Sequence, residues 1–212
     1  MFESQNLTDL LRAISSSLQS PVIVILFIIG AVTIVMLGTL IAEIFTERLH
    51  MRARLPELLN ALQKKEKPLE EIIRESGLLK RQRAALLTIA AQTELTALKR
   101  EALACEIMFT ERSGYDLRVK ITDLIMRLAP MFGLLGTLIP LGSGIIALGR
   151  GDTYTLSLSL LTAFDTTVAG IVAAAAATLI SAVRKRWYLK YMTNLEAVTE
   201  SLLEAMEEHE KA

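Results

Sequence analysis

Sulfur and imidazole are scarce in this chain. It has one cysteine, Cys105, among 212 residues, which rules out an intrachain disulfide framework and a thiolate metal cluster. The two histidines, His50 and His209, stand apart and isolated. A histidine metal cluster or a catalytic triad is therefore out of reach within one chain. No glycine-rich phosphate loop or other catalytic signature appears. Net charge is also lacking: 23 basic residues balance 23 acidic ones. They are interleaved, as on a solvated helix surface, and do not form a basic nucleic-acid face. The expectation is a protein that is not an enzyme, needs no cofactor or metal, and binds no nucleic acid.

What the chain does have is apolar sequence, 52% of its residues. It is gathered into three blocks of membrane-spanning length: Pro21–Ala42, Leu124–Leu148 and Leu156–Val183. Each exceeds or matches the roughly 20 residues needed to cross a bilayer as a helix. The first block is expected to be retained, because an acidic, polar segment precedes it where a signal peptide would be basic. Lys and Arg are dense between the first and second blocks and again at Arg184, Lys185, Arg186 and Lys190. By the positive-inside rule this predicts the N-terminus outside and the C-terminus inside. Trp187, Tyr188 and Tyr191 read as an aromatic anchor at the inner face.

The expected fold is all-α: three transmembrane helices whose long helices extend into a cytoplasmic helical domain. Residues 1–20 are expected to form an outer amphipathic interfacial helix, on the helical spacing of Leu7, Leu10, Leu11, Ile14 and Leu18, with an ordinary packed N-terminal helix as the alternative. The first span covers 21–45, a cytoplasmic helical loop 46–122, and the second span 123–148. A short outer turn over 149–155 leads to the third span, 156–183, and a cytoplasmic C-terminal helix, 184–212. Within the loop, the pattern predicts helices over Glu47–Leu62, up to Gly77, and over Leu78–Arg112, with a weak point at Ser113-Gly114. Leu195, Val198, Leu202 and Ala205 make an apolar stripe for packing on the loop helices or on a neighbour.

Polar groups inside the spans mark a pathway or a packing site, because they are expensive in lipid. Thr137 lies near the middle of the second span. Gly133 and Gly136 remove bulk beside it, and Pro140 cannot donate to the Gly136 carbonyl. Asp165 lies at a matching depth in the third span, flanked by Thr162, Thr166 and Thr167. Desolvation there would raise its pKa, as suits a proton-exchanging group. The alternative is a structural aspartate bonded to a nearby threonine or to Arg150, or one hydrated near the outer mouth. Gly170, Ala173 and Ala174 permit close helix approach, and Gly30, Ile34 and Gly38 suggest a second, looser contact. Glu43, Asp123 and Arg127 read as interfacial charges or an ion pair at the inner boundary.

Two of these segments resemble a known family. Ala129-Pro130, followed by Gly133-Leu134-Leu135-Gly136-Thr137-Leu138, is similar to the second-span motif of the MotA/TolQ/ExbB proton-channel family. Thr167-Val168-Ala169-Gly170-Ile171-Val172-Ala173-Ala174 is similar to its third-span motif. The three-span layout sits closest to the ExbB/TolQ branch. The resemblance implies a homo-oligomeric ring, typically five copies, around two copies of a single-span ExbD/TolR-like partner that carries an intramembrane aspartate. It places the chain in the plasma (inner) membrane as a multi-pass protein. Threonines matching Thr137 and Thr167 would line the ion path. One departure stands out: the acidic residue that such proteins carry at the position of Thr162 is here displaced to Asp165.

The function this implies is a ring-forming subunit of an ion-driven, proton-type channel or motor complex, coupling ion flow to mechanical work or transport. The alternative is a non-conducting oligomeric scaffold acting through its cytoplasmic helices. A secondary transporter fits less well, since three spans lack inverted repeats.

Overall fold

In a computed structural model, the chain is described over residues 2–45, 55–64, 68–92 and 95–210. The described residues form helices and no strand: α1 (Phe2–Glu43), α2 (Leu55–Lys64), α3 (Leu69–Glu75), α4 (Lys80–Ala90), α5 (Ala97–Gly149) and α6 (Thr153–Glu210). Three of these are long and apolar enough to cross a membrane, within Ser17–Glu43, Ala97–Gly149 and Thr153–Glu207. The all-α class with three spans is therefore what the structure has.

Two compact units divide the chain. The first comprises Met1–Thr39 and Lys120–Ala182. Its helices bury narrow stripes at helical spacing: Val22, Leu26, Ile29 and Thr33 on α1; Thr122, Ile125, Ala129 and Ala147 on α5; and Ser159, Ala163, Thr166, Ala173 and Ala177 on α6. Large apolar side chains such as Phe27, Leu134 and Phe164 point outward. A large apolar surface with a small-residue interior is the inverse of a soluble bundle. It is the distribution expected where the solvent is hydrocarbon.

The expected interfacial helix over 1–20 is not a separate element. Helix α1 runs through Pro21 without interruption. Proline at that point only removes the donor to the carbonyl four residues back, a defect a long helix can absorb. Leu10, Ile14 and Leu18 are exposed, while the side chains of Leu7 and Leu11 lie outside the described residues.

Between α5 and α6 the turn is short. Gly151 takes φ +77°, a left-handed conformation that a glycine adopts without steric cost. Asp152 then caps α6: its carboxylate accepts the Thr155 amide at 3.0 Å and the Thr155 hydroxyl at 2.5 Å. The side-chain bond, followed by the backbone bond, holds the Asp152 carboxyl below its ordinary range. This cap is complete above that range and is lost as pH falls through the depressed pKa.

The second unit comprises Leu40–Val119 and Val183–Ala212. Its core gathers Leu62, Ile73, Leu86, Ile89, Leu195, Val198 and Leu202, with Tyr115, Tyr188 and Tyr191. The C-terminal stripe thus packs on the loop helices of its own chain. Tyr188 and Tyr191 are buried and stack with Tyr115, the closest ring centroids being 4.5 Å apart. They are core residues and not an interfacial anchor: aromatic faces are better covered by one another here than by headgroups. Trp187 is partly buried on the same core.

The segmentation of 78–112 also differs from expectation. Helix α4 ends at Ala90 and α5 begins at Ala97, while Ser113-Gly114 lies inside continuous helix. Arg100 accounts for the break. It is 2% exposed, and its guanidinium donates to the carbonyls of Gln92 at 3.3 Å and Leu95 at 2.8 Å. It thereby satisfies acceptors that the interruption would otherwise leave bare. Gly114 lowers helix stability by only about 1 kcal/mol, too little to part a helix anchored by Tyr115 next to it. The start of the expected helix Glu47–Leu62, and Arg48, His50, Arg52 and Arg54, lie outside the described residues.

Gln82 joins α4 to α6. Its Oε1 accepts the Leu79 amide at 3.3 Å, and its Nε2 donates to the Tyr191 carbonyl at 2.9 Å. Leu202 is fully buried in this core. Leu202→Ala should lower stability by about 2–5 kcal/mol, read as a fall in the thermal midpoint of the second unit's unfolding in detergent. An unchanged midpoint would show that the core does not depend on α6.

Candidate functional site

The geometry of the apolar pair α5–α6 rests on one close approach. A Cβ added at Gly170 would lie 2.7 Å from the Ala129 carbonyl oxygen and 2.9 Å from the Gly133 Cα. One added at Gly133 would lie 3.3 Å from the Gly170 Cα. These are backbone atoms, which cannot swing aside, so the two helices touch main chain to main chain only because both residues are glycine. One turn toward the 150–152 turn, a Cβ at Gly136 would fall 2.7 Å from the Cβ of Thr166. Further on, one at Gly144 would meet Ser159 at 3.0 Å. At the opposite end, the Ser181 hydroxyl donates to Asp123 Oδ1 at 2.5 Å. These pairs fix a single antiparallel register, each step along α5 matched by one back along α6.

That register puts Thr137 level with Thr166 and Thr167. Helical phase, at about 100° per residue, then sorts the polar residues by flank. Thr166 is buried in the seam. Thr137 and Thr167, both partly buried, fall on one flank of the seam, and a Cβ added at Gly133 would lie 3.7 Å from the Thr167 Cα. Thr162 and Asp165 fall on the opposite flank, with Asp165 exposed among Leu158, Leu161, Val168 and Val172. The five polar residues therefore share a depth zone but not a surface. Among the described residues no hydrogen bond or ion pair reaches the Asp165 carboxylate, neither from a threonine nor from Arg150. Gly133, Gly136, Pro140, Gly170 and Ala173 line the buried seam, with Ala174 at its edge.

Every threonine hydroxyl of this zone is pinned to its own helix. Thr137 donates to the Leu134 carbonyl at 2.6 Å, Thr162 to Leu158 at 3.0 Å, and Thr167 to Ala163 at 3.1 Å. Thr166 sits 3.0 Å from the carbonyls of both Thr162 and Ala163. A hydroxyl whose proton is so committed offers only lone pairs outward. Thr137 and Thr167 are thus acceptors, fitted to a protonated group, a water or a cation. Pro140 has no N–H to give the Gly136 carbonyl, and Ser143 donates to the Pro140 carbonyl at 2.8 Å. Gly30 and Gly38 on α1 have nothing within 4 Å, so the expected looser contact is not made inside this chain.

The charges expected at the inner boundary are partnered differently from the sequence reading. Within the second unit, Glu43 pairs with Arg118 at 3.1 Å and with Arg184 at 3.4 Å, and accepts from the Tyr188 hydroxyl at 3.3 Å. Arg184 is 3% exposed, so it serves a buried ion pair and not a loop surface. Burial and the Glu43 charge push the Tyr188 phenol above its ordinary value. Burial lowers the Arg118 pKa, but the Tyr188 oxygen and Glu43 outweigh it, and the net direction is upward. Asp123 belongs to the first unit and bonds to Ser181. No spacing signal picked out these pairings, because each joins residues more than 50 positions apart.

A family model described as the MotA/TolQ/ExbB proton channel family matches residues 64–197, more than half of the chain. No curated protein matches it. The matched region holds the whole α5–α6 seam.

The seam predicts a sharp contrast between glycines. Gly170→Ala must force backbone apart and should destabilise the pair by about 1–3 kcal/mol. Gly142, with nothing within 4 Å, should accept Ala without loss. The check is the thermal midpoint of each detergent-solubilised variant; equal midpoints would contradict the close contact.

Proposed function

The chain belongs to the MotA/TolQ/ExbB proton channel family, and from that premise we propose that it is the ring-forming subunit of an ion-driven motor complex. It is a multi-pass membrane protein and a subunit of a proton-channel-type membrane complex. In the proposed assembly, about five copies surround two copies of a single-span partner, in the plasma membrane, with the 150–152 turn outside and the second unit in the cytoplasm. Ion flow past the partner's intramembrane aspartate drives relative rotation of ring and partner, and the work is delivered across the envelope.

The observation that supports this reading best is the level pair Thr137 and Thr167. Both stand on one flank of a rigid glycine seam, and both present lone pairs outward. A partner carboxyl, when protonated, is the kind of donor such a pair accepts. When ionised it needs water or a cation in the same place, so the pair differentiates the two charge states. The main-chain contact at Gly133 and Gly170 holds the spacing while the partner passes. The opposite flank supports an oligomer as well. A carboxylate surrounded by exposed leucine and valine side chains costs several kcal/mol against lipid unless protein or water covers it. In a ring, a neighbouring copy covers it.

The test has two parts. Mass measurement of the intact complex from native membranes should give about five copies with two of a small single-span protein bearing an intramembrane aspartate. Proton flux in vesicles should then fall about tenfold or more for Thr137→Val, which keeps the shape and removes the acceptor, with the complex mass unchanged. A homo-oligomer without such a partner, showing no flux to lose, would favour a non-conducting scaffold working through its cytoplasmic helices.

A further inference from the structure

We propose that the open groove along α5 and α6 in the second unit is the dock for the basic cytoplasmic segment of the single-span partner. This rests on the motor reading above and names where that partner is held outside the membrane.

Helical phase defines the groove. Two hollows lie between α5 and α6 in this unit. Asp116, Val119, Lys185 and Leu189 stand in the walls of one, and Leu98, Glu101, Leu203 and Glu207 in the walls of the other. Each residue of the first set is 18 positions from its counterpart in the second, and at about 100° per residue that interval is five full turns. Both hollows therefore open on the same side of the helix pair, as the ends of one groove about 30 Å long. Its two rims differ in chemistry. The α5 rim is apolar: Leu98, Cys105 and Phe109 are exposed on it, Leu98 by 78% and Phe109 by 73%. The α6 rim is acidic: Glu196, Glu200 and Glu204 are exposed at steps of four, so they stack along one edge and repel one another. Among the described residues no ion pair neutralises any of the three.

Complementarity sets the occupant. A contiguous apolar rim in a unit with a water-soluble type of core marks a surface to be covered. Facing an acidic rim, it fits an amphipathic helix with an apolar face and Lys or Arg along one edge. About 20 residues of helix fill the length. A second copy is a poor match, because copies in one membrane stand level. It would bring either its own α6, with the same glutamates, or its α4, whose outward Arg81, Ala84 and Thr88 include no large apolar side chain. The partner is a better one. A single-span protein carries Lys and Arg on the cytoplasmic side of its span, by the same rule that orients this chain. Those cations relieve the repulsion along Glu196, Glu200 and Glu204, and the apolar face of the segment covers Leu98 and Phe109.

Cys105, the chain's one cysteine, supplies the test. The complex purified from native membranes is labelled there with a maleimide-linked benzophenone and irradiated, and the cross-linked peptide is identified by mass spectrometry. A second attachment point, Leu98→Cys with Cys105→Ser, guards against a label that blocks docking at one position. The expected cross-link is to a Lys- and Arg-rich cytoplasmic peptide of the single-span partner, from at least one of the two positions. Glu200→Lys with Glu204→Lys should reduce its yield about fivefold or more at unchanged complex mass. Cross-links from both positions only to another copy of this chain or to an unrelated protein, or none at all, would overturn the dock. So would a yield that ignores the charge reversal. If the partner is present by mass in those cases, the motor reading stands and only the dock falls. If the complex holds no single-span partner, the motor reading fails first and the dock with it.

Discussion

Main-chain contact between α5 and α6 at Gly133 and Gly170 is the constraint on which the rest of the first unit depends. Without side chains between them, the helices approach until a carbonyl oxygen, that of Ala129, sits where the Gly170 Cβ would be. In hydrocarbon there is no hydrophobic force to hold two helices together, so dispersion from such close packing has to do it. Close packing also admits only one register. From that register follow the level placement of Thr137 with Thr167, the burial of Thr166 against Gly136, and the meeting of Asp123 with Ser181. A single added methyl at Gly170 would disturb all three at once.

The second unit is built on a different principle. Its core is large and apolar, with leucine, isoleucine and stacked tyrosines, as in a water-soluble bundle. Its polar insertions are few, and several of them tie its helices together. Arg100 serves the break between α4 and α5, Gln82 ties α4 to α6, and Glu43 gathers Arg118, Arg184 and Tyr188. Buried charges of this sort contribute little net stability, but removing one partner leaves the other stranded, at a cost of about 3–5 kcal/mol. They specify which helix ends where more than they hold the unit together.

Much of this was legible in the residues. The three apolar helices follow from run length, and the seam follows from the small residues at Gly133, Gly136, Gly170 and Ala173. The C-terminal stripe at Leu195, Val198 and Leu202 follows from helical period. What was not legible depended on long-range partners. The aromatic cluster at 187–191 sits next to a basic run at a span end, so it imitates an interfacial belt; only the presence of Tyr115 makes it a core. Helix formers fill 78–112 evenly, so local propensity cannot place a break that is stabilised by Arg100 from the following helix. Ser113-Gly114 carries a local breaking signal that packing outweighs. Depth was readable by counting residues from the span ends, but flank was not, since it needs the direction in which each helix meets its neighbour.

Flank is where the chemistry is decided. Thr137, Thr167 and Asp165 occupy one depth zone, and by depth alone they belong to a single site. The seam separates them. Two hydroxyls with their protons committed to Leu134 and Ala163 face one side. A carboxylate among exposed leucines and valines faces the other. A surface of lone pairs suits an ion or a titrating partner that comes and goes, because it asks for no proton of its own. A lone carboxylate in apolar surroundings suits a fixed cover, because every opening toward lipid would restore the full cost of its charge. One helix pair thus carries a surface fitted to motion and a surface fitted to permanence, back to back. The proposed position of the subunit, between a moving partner and static neighbours, would call for both.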